Sequence, residues 1–138
     1  MIFFILFFLC GILVSFLYPP FFLTPAGFFI FPFLFYLLNH KNYIALSHKK
    51  HFFSGFIFGL GFFIIYLSWI KEPFFMEEIT KKYFIFSYLL IIYCALYYGI
   101  IFFIISFFKT KIVKLFTLPI LIVLVEFISN NLLYGFPW

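Results

Sequence analysis

The chain has no arginine, no aspartate and no glutamine, and its four carboxylates, all glutamate, face nine lysines. Charged residues make up 9% of the 138 positions, where a soluble domain carries roughly 25%, so this chain cannot cover itself with a solvated surface. That scarcity excludes a water-soluble globular domain. The net charge of +5 is no sign of nucleic-acid binding, because the lysines sit in short loops between apolar runs. In such loops they set topology and meet anionic headgroups. Cysteine is nearly absent, and Cys10 and Cys94 both fall inside apolar runs with no metal-ligand spacing around either. They read as small buried hydrophobes. His48 and His51 share a His-x-x-His spacing, but no carboxylate or cysteine stands nearby and the neighbouring lysines repel a cation. No metal and no cofactor are expected.

What fills the chain instead is apolar: 67% of it is hydrophobic, with 29 phenylalanines. All basic residues are lysine, and Ile, Tyr and Asn are common, a pattern that points to codon bias toward A and T. Phenylalanine is therefore expected to serve as a generic lipid-facing residue. The expected fold is an all-α membrane protein, a single domain over residues 1–138 formed by a bundle of about five transmembrane helices.

The spans are expected at about 2–18, 21–38, 52–70, 83–108 and 115–133. The first lacks the positive flank and small-residue cleavage site of a signal peptide, and Pro19-Pro20 closes it. The second is short: Thr24-Pro25 reads as an N-cap followed by a first-turn proline, and Pro32 interrupts the helix. It suits a kinked span or a re-entrant segment, and the span is the preferred reading. In the third, Gly55 and Gly59 lie four apart and Gly61 follows, so one face can take close helix packing. Trp69 sits at its far end, where an indole anchors at the interface. Glu72, Glu77 and Glu78 between the third and fourth spans lack a calcium-loop spacing and read as a solvated loop.

Loops 39–51 and 109–114 together carry Lys41, Lys49, Lys50, Lys109, Lys111 and Lys114 and no acid, whereas 71–82 carries Lys71, Lys81 and Lys82. The positive-inside rule then expects a multi-pass protein with a cytoplasmic N-terminus. Trp69 and the closing Gly135-Phe136-Pro137-Trp138 fall on the opposite, outer face. Glu126 lies within the fifth span, where an ionisable group costs several kcal/mol unless paired, hydrated or neutral. Tyr93, Tyr97, Tyr98, Ser106 and Asn130 are its candidate hydrogen-bonding partners. It reads equally as structural glue and as part of a functional cavity.

Glu126, followed nine residues later by Gly135-Phe136-Pro137-Trp138, resembles the apolipoprotein N-acyltransferase family, whose membrane half carries a glutamate-bearing helix running into such a turn. The prolines closing the first helix, the glycines of the third and the Ser68-Trp69 pair agree with it. The resemblance implies a bacterial inner-membrane protein of several helices bearing a periplasmic nitrilase-like domain. It also implies transfer of a phospholipid acyl chain to the N-terminal amine of a lipoprotein's diacylglyceryl-cysteine, through a thioester on a cysteine assisted by Glu and Lys. Those catalytic residues belong to the nitrilase-like domain, so none is expected among these 138, and a truncated or split form is expected. Its partners would be membrane phospholipid, a separately encoded nitrilase-like domain and the lipoprotein substrate. Many members carry Arg three residues after the helix glutamate, where this chain has Ser129. Trp69, Glu126, Gly135, Phe136, Pro137 and Trp138 are the candidates for a lipid-binding mouth, because an aromatic turn at the interface can position headgroups. The alternative from another class is a small stand-alone membrane protein acting as a packing partner or transporter subunit.

Overall fold

Proline and glycine placement sets the helix ends and the helix contacts in this chain. The computed structural model describes residues 2–132, and among these every regular element is helical. Helix α1 spans Ile2–Ser15 and stops short of the Pro19-Pro20 pair. Neither proline can donate to the preceding turn, and the residue before a proline is pushed out of the helical region. A turn through Thr24–Ala26 leads into α2, Gly27–Leu38, with Pro32 inside it. Thr24 is not the N-cap: it lies in the first turn, behind Leu23, and its hydroxyl caps nothing. A short α3 (Lys41–Ile44) precedes α4, His48–Tyr66.

At Leu67 the chain breaks and bends by 59° into the segment Ser68–Phe75, which ends in the four-residue α5, Glu72–Phe75. Pro73 stands in the first turn of α5, a position that needs no amide donor. Helix α6 covers Ile85–Ile105 and α7 covers Lys111–Leu132.

By length, two of the five expected spans are full ones, or three with a bent pair. Helices α6 and α7, each roughly 32 Å at 1.5 Å per residue, are long and apolar enough to cross a ~30 Å hydrocarbon core. The bent pair at α4 makes a third if taken as one span. Helices α1 and α2 are apolar but shorter, 14 and 12 residues.

The centre of the fold is α4, which packs against α1 on one side and α6 on the other. A Cβ at Gly55 would fall 2.2 Å from the Tyr98 carbonyl oxygen, and one at Gly59 would fall 2.8 Å from the Ala95 Cα. These two glycines face α6. Gly61 faces α1, with the Phe8 carbonyl oxygen 2.3 Å from where its Cβ would stand. Gly11 of α1 returns the contact: a Cβ there would stand 2.1 Å from the Phe58 carbonyl oxygen. The helices therefore touch backbone to backbone, which only a residue without a side chain allows.

Around these contacts the aromatic residues close the core. Phe58 stacks on Phe102 with centroids 5.6 Å apart, and Phe7 meets Phe102 edge-on at 5.4 Å. Phenylalanine is thus more than a lipid-facing filler: Phe7, Phe58, Phe62, Phe63 and Phe102 are buried, while Phe28, Phe29 and Phe116 point outward.

Side-chain contacts fix the helix directions. Phe7 packs on Tyr43 and Tyr18 on Tyr66, so α1 and α4 run parallel. The His48 Nδ1 and Ser106 Oγ, 2.6 Å apart, pair the start of α4 with the end of α6, so those two run antiparallel. At the same end the Lys114 ammonium, 3% exposed, donates to the Leu38 carbonyl at 3.2 Å and ties the first turn of α7 to the last residue of α2. A cation there satisfies a carbonyl that the helix leaves open and meets the negative end of its dipole. Lys41, Lys49, Lys50, Lys109, Lys111 and Lys114 consequently gather at one end of the fold, and segment 68–83 sits at the other. The α3 phenol, Tyr43, is buried at the lysine end, and that burial pushes its pKa well above the usual tyrosine value.

Replacing Gly11 or Gly55 by alanine is expected to destabilise the fold by about 1–3 kcal/mol, the range for overpacking a close contact. Gly27→Ala, where the nearest atom is a movable Phe31 ring carbon 3.3 Å away, should cost less. Thermal unfolding in detergent followed by circular dichroism ranks the three.

Candidate functional site

The carboxylate of Glu126 stands on α7 about four turns beyond Lys111, at the end of the fold away from the lysines. It shares a small crevice, about 40 Å³, with Tyr18, Tyr66, Tyr97, Tyr98 and Ser129. Four elements contribute: the turn after α1, the end of α4, the middle of α6 and α7 itself. A water molecule takes about 30 Å³ of liquid, so the crevice has room for one water and not for a substrate. Its polar atoms are phenols and a hydroxyl, which can satisfy a carboxyl group without a cation.

The expected partners of Glu126 divide. Tyr97 and Tyr98 line its crevice, and the Tyr93 hydroxyl is hydrogen-bonded to that of Tyr97 one turn along. Ser106 belongs to the far end, where it pairs with His48 and donates to the Phe103 carbonyl at 2.6 Å. The Asn130 side chain lies outside the described set. Ser129, at the position where the resemblance expects arginine, is buried and donates to the Glu126 backbone carbonyl at 2.9 Å. Among the described side chains, no cation pairs with the Glu126 carboxylate and no hydrogen bond reaches it. Tyr18 and Tyr66 were not singled out from the sequence. Both are aromatic residues at the ends of apolar runs, a signal shared with ordinary interface anchors.

Trp69 lies in the 3₁₀ turn Ser68–Lys71, three residues past Tyr66 and beyond the bend, and its indole is 56% exposed. That bend carries it out of line with α4. Gly135, Phe136, Pro137 and Trp138 lie outside the described residues. Gly55, Gly59 and Gly61 sit in the helix contacts given above and do not line the crevice.

The remaining polar groups have separate structural tasks. His48 stacks on Phe107, with centroids 4.4 Å apart, and His51 packs edge-on against the Tyr43 ring at 4.3 Å. Among the described residues no three of His, Cys, Asp and Glu come together. Cys10 and Cys94 are both free and buried. Glu78 meets Lys81 at 3.8 Å on the exposed 71–82 segment, a pair of the kind that contributes little.

Because no cation faces Glu126, Glu126→Gln is expected to leave the unfolding midpoint in detergent within about 0.5 kcal/mol of wild type. A loss of about 3 kcal/mol or more, the cost of breaking a buried ion pair, would reveal a cation partner instead.

No curated protein and no solved structure matches the chain. A family model does, that of the apolipoprotein N-acyltransferase N-terminal domain, over residues 10–138. The match takes in the glycine-bearing helices, the 68–83 segment and the whole of α7, and the chain belongs to the apolipoprotein N-acyltransferase N-terminal domain family.

Proposed function

We propose that this chain is the membrane-embedded N-terminal part of an apolipoprotein N-acyltransferase, in the bacterial inner membrane with its N-terminus cytoplasmic. In this reading its helices receive a phospholipid and a diacylglyceryl lipoprotein at the outer interface. A nitrilase-like domain carries the reaction, in which a cysteine takes the acyl chain as a thioester and passes it to the lipoprotein's N-terminal amine. The observation that carries the proposal is the family match over 129 residues, 10–138, together with Glu126 and Trp69 at the end of the fold opposite the lysines.

Three features support the membrane arrangement. The five longer helices alternate in direction, as successive crossings must. The six lysines of 39–51 and 109–114 meet at one end, and a lysine-rich end is the cytoplasmic one in most membrane proteins. Helices α1 and α2, shorter than the bilayer core, can cross by local thinning or through the apolar turns that flank them. The break at Leu67 turns Ser68–Phe75 away from the helix axis, with Trp69, Phe75 and Met76 exposed. An apolar and aromatic segment of that kind suits the headgroup layer.

Trp69, Glu126, Gly135, Phe136, Pro137 and Trp138 then form the mouth at which headgroups are positioned. Glu126, held among phenols, is the polar floor below it. The chain's own cysteines are buried, so the nucleophile comes from the nitrilase-like domain.

The test is acyl transfer from phospholipid to a diacylglyceryl peptide, using the purified chain with and without a co-expressed nitrilase-like domain. Activity is expected only with that domain; transfer by the 138 residues alone would overturn the assignment of chemistry. In the assembled enzyme, Trp69→Ala and Trp138→Ala should each lower the rate about tenfold, the equivalent of about 1.4 kcal/mol. Unchanged rates in both would remove the mouth from the proposal.

A further inference from the structure

Among the described residues, helices α2 and α7 are hydrogen-bonded at one end. The Lys114–Leu38 bond holds the last residue of α2 against the first turn of α7. Above it the two helices separate and leave a cleft of about 430 Å³. Phe31 and Leu34 of α2 form one wall, Leu118 and Ile122 of α7 the other, and Phe58 and Phe102 the floor. Pro119, also on the cleft, cannot donate to the turn before it, so α7 lacks a helical hydrogen bond there.

The cleft cannot hold water stably. A buried water needs two to four polar partners, and the only polar groups on the walls are the phenols of Tyr18 and Tyr98 at one end. A void of this size would also forfeit the dispersion contacts of every side chain lining it. At about 30 Å³ for a water-sized group, roughly the space of a methylene, its volume equals that of on the order of fourteen such groups. That is the size and chemistry of one acyl chain.

Charge selects the end from which the chain enters. On α7 the residues facing the cleft include Leu115, Leu118, Pro119 and Ile122. The same helical stripe continued one turn backward reaches Lys111, four residues before Leu115. Lys109 and Lys114 flank it, and no carboxylate occurs from residue 79 to residue 125. At the opposite end the neighbouring crevice carries Glu126 and no lysine. A phosphate is attracted at the first end and repelled at the second.

We infer that the cleft between α2 and α7 is a binding site for an anionic phospholipid, one acyl chain lying between Leu34 and Ile122 and the phosphate at Lys111. The phosphate end of this site is the one away from Trp69 and Glu126, while the far end of the cleft shares Tyr18 and Tyr98 with the Glu126 crevice; the inference does not depend on the acyl-transfer reading. It gives α7 the packing that protein contacts alone leave out.

Native mass spectrometry of the purified full chain, in mild detergent with equal amounts of dioleoyl phosphatidylglycerol and dioleoyl phosphatidylcholine, tests the site. One retained lipid per chain is expected, with phosphatidylglycerol favoured about fivefold for each lysine that reaches the phosphate. Filling the cleft with Leu118→Phe and Ile122→Phe should reduce retention to background while helicity by circular dichroism is kept. Lys111→Glu, an exposed change that leaves the core intact, should keep a lipid and abolish the preference for phosphatidylglycerol. Equal retention of the two lipids by wild type would overturn the inference. So would undiminished retention in the filled variant, or an unchanged preference in Lys111→Glu. If the filled variant does not fold, the Lys111→Glu result decides. No acyl transfer enters the readout, so its outcome is separate from that of the proposed reaction.

Discussion

The backbone-to-backbone approach of α4 to its two neighbours is the constraint on which the rest of the structure depends. Apolar side chains gain little by leaving lipid for the inside of a bundle, because lipid tails are as apolar as they are. What holds helices together in that setting is dispersion at short range, and it requires backbones that can come close. Gly11 and Gly61 provide this between α1 and α4, and Gly55 and Gly59 provide it between α4 and α6. With those distances set, Phe7, Phe58 and Phe102 interlock beside the contacts, and Tyr18 meets Tyr66 at the far end. The tyrosine-lined crevice is a consequence of that meeting.

Helix α7 obeys a different rule. It has no glycine among its described residues and is mostly exposed, so it lies against the bundle instead of within it. One polar bond locates it, the Lys114 ammonium on the Leu38 carbonyl at one end, while at the other Glu126 shares a crevice with phenols. Both are groups that would be expensive in lipid alone and are tolerated where protein polar atoms face them. Beyond the Lys114 bond the helix stands away from α2 and leaves the apolar cleft. A helix positioned in this way can adjust to what lies beside it.

The sequence by itself determined the class of the protein. Too few charges for a solvated surface and a succession of apolar runs left only an all-helical membrane protein, because a bilayer demands that backbone groups be satisfied within each segment. The four-residue spacing of Gly55 and Gly59 also located one packing face, and Glu126 with the closing Gly-Phe-Pro-Trp carried the family likeness that the match over residues 10–138 established.

Tertiary structure decided what composition and period cannot express. Hydrophobicity does not distinguish a phenylalanine facing lipid from one facing a helix, so which of them form the core depended on the glycine contacts. Ser106 is helix-borne like Tyr97 and Tyr98, yet lies at the wrong end to meet Glu126. Nor does a hydrophobic run state its own helix length: Pro19 and Pro20 shorten α1, because a missing donor acts on the turn before it, and the third segment bends at Leu67. Lys114 read as one more loop charge, and only the neighbouring end of α2, with a carbonyl left open by helix geometry, made it a strut. Those assignments depend on which segments become neighbours, and that is settled by short-range packing between residues far apart in the chain.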